Sequence, residues 1–264
     1  MNILEVRKEF RKIVTTSLWA DEVEEILPEF TRSINELDLN NFREMSSVAY
    51  EKAGAKNAIN LMKAVSLAVG ECLGKELKNA KHRLSRAEEQ IVRNYCNQSY
   101  TDVNEMLLGY GERDPKTFQF ISDLDYILDV HSQEFTGTLF RSMQLTRDQL
   151  ENLNGEFEFK NYVSTSVTPA IIYGNWLGNA AYEFIPQKEI DEVFETNTFE
   201  LDTVETLFII ECNDVPVMNT APFSFNPMEC EYLLSRGTTV KINSVKEING
   251  KRRKQIIVKC EVML

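Results

Sequence analysis

Glu229-Cys230-Glu231-Tyr232-Leu233-Leu234-Ser235-Arg236-Gly237 is the stretch whose reading decides the fold. Tyr232, Leu233 and Leu234 form a short aromatic–aliphatic run, and Arg236-Gly237 closes it as a turn, which together describe a buried strand. The two glutamates stand in front of that strand at positions i and i+2. In extended chain such residues point to the same side, so Glu229 and Glu231 are predicted to face one cleft.

Working outward, the surrounding sequence is also rich in strands. Thr206–Cys212 (TLFIIEC), Thr239–Val245 and Gln255–Val262 are β-rich, and Asn249-Gly250 is a hairpin signal between the last two. Upstream, Gly137–Met143 is a short apolar run, and Phe157, Phe159 and Tyr162-Val163 lead into Ser164-Thr165-Ser166. Pro169 is predicted to begin a short helix holding Ile171, Ile172 and Trp176.

Before residue 130 the periodicity is helical. Ser85-Arg86-Ala87-Glu88 is a capping box that opens a helix through Ile91, Val92 and Tyr95. Asp114-Pro115 places an N-cap ahead of a proline at the first helical position, with Phe118, Ile121, Leu124 and Leu128 along one face. Ile59–Leu73 is read as a buried helix, since Lys63 and Glu71 interrupt a stretch too short to cross a bilayer. Phe10, Leu18, Trp19, Ile26 and Phe30 are the expected core of the N-terminal part. Helices followed by strands make an α+β fold, not alternating βαβ. The division expected is a helical region over 1–85 and a catalytic domain over 86–264.

Composition excludes several functions. A net charge of −12 opposes binding nucleic acid through phosphates, which needs clustered Lys and Arg. Of two basic clusters, Lys75–Arg86 is read as a solvated helix face and Lys251–Lys254 as an exposed turn. Neither G-x-G-x-x-G nor a Walker A sequence occurs, which speaks against a Rossmann nucleotide site. Two histidines without ligand spacing make a metal site unexpected. Five scattered cysteines and a charged start with no apolar leader read as reduced thiols in a cytoplasmic protein.

Three elements carry the chemistry: Leu139-Phe140-Arg141 at the end of an apolar strand, Ser164-Thr165-Ser166, and Glu229-Cys230-Glu231. Each alone has an ordinary reading: a surface arginine, a turn, a solvated acidic pair. Their order and their placement at strand ends make the combination specific.

On these residues the chain resembles ADP-ribosyltransferases of the arginine, Ser-Thr-Ser, E-x-E class, which include binary toxins, arginine-specific bacterial effectors and T4-like phage enzymes. The resemblance covers about residues 86–264 and extends to Tyr95, Tyr100 and Val103-Asn104, and to Asn161 three residues before Ser164. It implies a β-sandwich core and NAD⁺ as a consumed co-substrate, without a metal. Breaking the nicotinamide–ribose bond builds positive charge on the ribose, and a fixed carboxylate stabilises it. The resemblance gives that role to Glu231, oriented by Ser164. Arg141 would pair with NAD phosphate through its fork, and Thr165 and Ser166 would support the site. Asn161, Tyr95 and Tyr100 would join the NAD-binding surface.

The resemblance also implies an arginine acceptor, since in that class a glutamate at the position of Glu229 goes with arginine targets. The expected activity is mono-ADP-ribosylation of an arginine in a target protein, with NAD⁺ glycohydrolysis or a catalytically inactive binding module as alternatives. The partners implied are NAD⁺ and a target protein, with the enzyme itself a monomer away from the membrane, carried by a phage particle or secretion machine. Phe223 or Phe225 is expected either to present an aromatic ring to the target or to fill the core. Trp176 has a stacking role or a core role open to it. Three departures from the family pattern are Ser142 after the arginine, Ser235 in place of proline, and no arginine in 161–205, where Lys188 is the single basic residue.

Overall fold

A computed structural model describes residues 1–110, 114–170, 185–186, 188–189, 192, 203–249 and 254–264. The predicted helix after Pro169, with Ile171, Ile172 and Trp176, lies outside the described residues, as do most of the basic residues at 251–254.

The N-terminal part is a helical layer. Helices α1 (Ile3–Thr15) and α2 (Leu27–Ser33) pack on the long α3 (Leu39–Lys78), which bends at Gly54, where φ is +74°. Phe10, Phe30, Phe42 and Met62 are fully enclosed here, each contributing about 1.5–3 kcal/mol by leaving water. Trp19 and Ile26 pack at the margin of this core, but Leu18 is fully exposed, against expectation. It precedes the 3-10 turn Ala20–Val23, where one-sided helical periodicity has already ended. The Lys75–Arg86 cluster is no single helix face, because α3 stops at Lys78.

A second helical group follows: α4 (Arg86–Asn94), a π-helical turn at Tyr95–Ser99, α5 (Tyr100–Leu108) and α6 (Pro115–His131). Ser85 and Glu88 form the predicted capping box, and Asp114 caps α6 by accepting from the Thr117 amide at 3.0 Å. Ile121, Leu124 and Leu128 are buried as expected, with Ile127, whereas Phe118 in the first turn is half exposed.

Among the described residues, seven strands follow: β1 (Gln133–Thr146), β2 (Glu156–Phe159), β3 (Val163–Ser166), β4 (Thr203–Asn219), β5 (Glu231–Leu234), β6 (Thr238–Asn249) and β7 (Lys254–Val262). A five-residue helix, α7 (Arg147–Glu151), follows β1. β1 and β4 are longer than their apolar runs because they pair with each other along their whole lengths, Gln133 with Val217 through Thr146 with Thr203. β4 also runs parallel to β7, and β7 is antiparallel to β6, which pairs with β2. At the other end β3 and β5 pair with each other and bridge β1 to β4.

The two groups of strands enclose one core. Val163 and Leu234 from the short pair meet Phe208, Ile210, Val258 and Cys260 from the long strands. β4 is buried on both faces, since Leu207 and Ile209 pack oppositely with Phe140. A strand covered on both sides reads as the unbroken apolar run seen at 207–210. The α+β architecture, sandwich core and N-terminal helical region are those expected from the sequence.

Candidate active site

The adjacent strands β3 and β5 bring the three sequence elements together. Their register sets Ser166 opposite Glu231, Thr165 opposite Tyr232 and Ser164 opposite Leu233. Phe140 of β1 lies opposite Ser166, so Arg141 arrives at the same edge from the third strand.

Glu231 is held at both oxygens. Ser164 Oγ donates to Oε1, and Thr220 Oγ1 donates to Oε2 at 2.5 Å. Thr220 also anchors the backbone, its amide donating to the Glu231 carbonyl at 3.1 Å. Two hydroxyl donors to a carboxylate are charge-assisted and fix its plane. Thr220 is fully buried just beyond β4. Sequence reasoning missed it, and the only local signal was the end of a β-rich stretch before Pro222.

The two other residues of the triplet are structural. Thr165 Oγ1 donates to the Tyr232 carbonyl at 2.6 Å and Ser166 Oγ to the Glu229 carbonyl at 2.9 Å. They lash β3 to both ends of the acidic pair, while exposed Ser164 faces the cleft.

The acidic pair is not extended. Pro227–Glu229 is a 3-10 turn, Cys230 is left-handed at φ +51°, and only Glu231 lies in a strand. The i, i+2 argument therefore fails for this pair: the tight turn, with Cys230 fully buried inside it, presents Glu229 instead. Asn226 Nδ2 donates to Glu229 Oε1 at 2.9 Å. Partial desolvation in the cleft, and then the charge of Glu231, raise the Glu229 carboxyl above the usual glutamate range, and the Asn226 bond opposes them. Its side chain still reaches solvent.

Arg141 donates from Nη1 to the Ser164 carbonyl at 2.7 Å, and its guanidinium lies 5.9 Å from the centre of the Phe159 ring. Its Nε is buried without a hydrogen-bond partner. Desolvation lowers the affinity of this guanidinium for its proton, opposed by Tyr95 and Glu231. A desolvated cation with an unused donor is costly, and an anion such as phosphate would relieve it.

Tyr95 is buried beneath the site, edge-on to Tyr162 at 5.3 Å, and burial raises its phenol. Asn104 Nδ2 reaches its hydroxyl at 3.5 Å. Asn161 is buried beside Tyr162. Tyr100, predicted with Tyr95, stands half exposed where the π-helical turn ends. The Cys96 thiol lies against Thr220 and is kept protonated, first by burial and then by the charge of Glu231.

The loop before the acidic pair resolves the two aromatics. Phe223 is buried, edge-on to His82 at 4.9 Å, while Phe225 is 74% exposed. Asn97 fixes the loop, donating to the Phe223 carbonyl at 3.0 Å and accepting from the Phe225 amide at 2.6 Å. At the far end of β5, Arg236 grips Asp125 of α6 with bonds of 2.7 to 3.0 Å, and Tyr162 donates to the same carboxylate at 2.7 Å. No helix among the described residues is long and apolar enough to cross a membrane.

A clamped carboxylate, a second carboxylate on a turn and a guanidinium with an unpartnered Nε make a site suited to an anionic substrate that develops positive charge as it reacts. The chain belongs to the ADP-ribosyltransferase exoenzyme family, whose model matches residues 74–264. Among curated proteins it is similar to the NAD(+)--arginine ADP-ribosyltransferase of Enterobacteria phage T4, 25% identical over 244 residues, covering 83% of this chain and 35% of the relative. The enzyme of the same name from phage T2 is 34% identical over 100 residues, covering 34% and 14%. The chain thus spans about a third or less of the length of these relatives. Among solved structures it is similar in fold to Vis, a toxin of Vibrio splendidus crystallised with agmatine: TM-score 0.53, 15% identity, 75% of this chain and 85% of that one.

Proposed function

We propose that this chain cleaves NAD⁺ and transfers ADP-ribose to an arginine side chain of a protein, releasing nicotinamide. The observation that carries the reading is Glu231, clamped by Ser164 and Thr220 in the cleft that also holds Arg141, whose buried Nε has no partner. Arg141 would hold the phosphates. This fits the absence of an arginine from 161–205, because a partly desolvated guanidinium binds an anion more strongly than a fully solvated one.

Glu231 would then stabilise the ribose as its C1′–nitrogen bond breaks and the electron pair leaves with nicotinamide. A guanidinium nitrogen of the acceptor forms the new bond to C1′, and Glu229 takes the proton it loses. Desolvation that raises the Glu229 carboxyl suits it to that task. Two names support the acceptor: the phage relatives are named for arginine, and Vis was crystallised with agmatine, which carries the same guanidinium. Five free cysteines fit a reducing compartment, so the target is proposed to be cytoplasmic.

Labelled NAD⁺ incubated with the protein and with bacterial or eukaryotic lysates tests this reading. Glu231→Ala is expected to abolish both protein labelling and nicotinamide release, and Glu229→Gln to lose labelling while nicotinamide release continues. Unchanged labelling in both variants would refute the assignment.

A further inference from the structure

The helical layer touches the catalytic turn at one stripe of α3. Ser66, Gly70, Gly74 and Leu77 recur at helical spacing, so they share a face. Each meets a segment flanking the site. Ser66 Oγ donates to the carbonyl of Ala170, four residues beyond the Ser-Thr-Ser triplet. Gly70 and Gly74 lie under the turn that carries Glu229: a Cβ at Gly70 would stand 2.9 Å from the Met228 carbonyl oxygen, and one at Gly74 2.5 Å from that of Pro227. The Leu77 carbonyl accepts from Asn219 Nδ2 at 3.0 Å, and Asn219 precedes the threonine that clamps Glu231. The neighbouring side of α3, with Ala58, Met62, Val65 and Val69, is committed to the N-terminal core.

Helix and turn therefore approach backbone to backbone, which only glycine permits. Such a contact fixes position more tightly than side chains that can change rotamer. The two carboxylates do not share its effect equally. Glu231 is held by Ser164, Thr220 and the β3 register, whereas Glu229 hangs on the seated turn, where among the described residues Asn226 alone bonds its carboxylate.

We propose that the Gly70–Gly74 face of α3 is a positioning element of the transfer site: it sets Glu229 against the acceptor, and so decides how much cleaved NAD⁺ goes to arginine and how much to water. This rests on the function proposed above and assigns part of it to a helix lying mostly outside the stretch matched by the family model.

The test measures nicotinamide release and ADP-ribosyl-agmatine formation side by side, on the full chain with NAD⁺ and agmatine. Gly74→Ala forces the turn away. Asn219→Asp keeps the acceptor for the Ala221 amide but removes the donor to Leu77, and so loosens the same junction without adding bulk. In both variants agmatine product per nicotinamide is expected to fall about tenfold or more, in line with small displacements of a reacting group. Nicotinamide release without agmatine should remain close to wild type. An unchanged ratio in the variant that folds, or a parallel loss of both products, overturns the proposal. A wild-type chain that releases no nicotinamide refutes instead the function on which it rests, and is seen before any variant is compared.

Discussion

Replacing Thr220 with valine removes one hydroxyl and little volume, at a position sealed from solvent. The hydroxyl donates to Glu231 Oε2 at 2.5 Å, and the Thr220 amide, which holds the Glu231 carbonyl, is untouched by the change. A hydrogen bond to a charged group contributes about 1.5–3 kcal/mol. If that amount is lost from the reacting geometry, at about 1.4 kcal/mol per tenfold in rate, kcat for nicotinamide release falls roughly ten- to a hundredfold. KM for NAD⁺ should change little, because the carboxylate is needed where charge develops and not for binding the phosphates. Thr220→Ser, which keeps the hydroxyl, should recover most of the rate. Ser164→Ala combined with Thr220→Val should cost less or more than the sum, since both donors act on one carboxylate. The assay is nicotinamide release at saturating NAD⁺, with thermal denaturation to confirm folding. A folded Thr220→Val enzyme as fast as wild type would refute the claim that two hydroxyls fix Glu231.

Arg141→Lys keeps the charge but loses the planar fork and Nε, so KM for NAD⁺ should rise by about tenfold or more, as read from initial rates over a range of NAD⁺. Glu229→Gln should raise the melting temperature at neutral pH. The fold lifts this carboxyl above its unfolded value, so it favours the folded state only where it is protonated, below the ordinary glutamate range, and that contribution is lost as pH rises through the folded value. The advantage of the glutamine should therefore vanish in acid, and a difference independent of pH from melts across that range would contradict the assignment. Phe225→Ala should leave agmatine modification intact and reduce labelling of protein targets, because the ring projects from the loop that ends at Glu229. Equal loss on both acceptors would show that the ring serves the cleft and not the target.

The sequence was most legible where a residue's neighbours in the chain decide its structure. The capping box at Ser85 and the Asp114-Pro115 start are local hydrogen-bonding problems, and both formed as read. Two of the three site elements do sit at strand ends, the triplet closing β3 and the acidic pair preceding β5, whereas Arg141, expected to end its strand, lies inside β1, which continues to Thr146 through its pairing with β4. What needed the third dimension was missed. Thr220 joins the site because the end of β4 pairs with β5, a contact that no local pattern encodes. The left-handed Cys230 was read as extended, although a proline two residues before Glu229 already allowed a turn. Leu18, expected in the core, and Phe118, expected on the apolar face of its helix, lie at helix margins, where periodicity no longer says which side is covered. Nothing local marks Gly70 and Gly74, since what they leave room for is a segment more than 150 residues away in the chain.

The central claim is that one cleft both breaks NAD⁺ and hands its ADP-ribose to a guanidinium, with the two glutamates dividing the work. Counting nicotinamide released against ADP-ribosyl-agmatine formed, for wild type, Glu231→Gln and Glu229→Gln, tests it most directly. The account predicts matched formation of both products in wild type at saturating agmatine, neither in Glu231→Gln, and nicotinamide alone in Glu229→Gln. Agmatine product persisting in Glu229→Gln, or nicotinamide release persisting in Glu231→Gln, would contradict it.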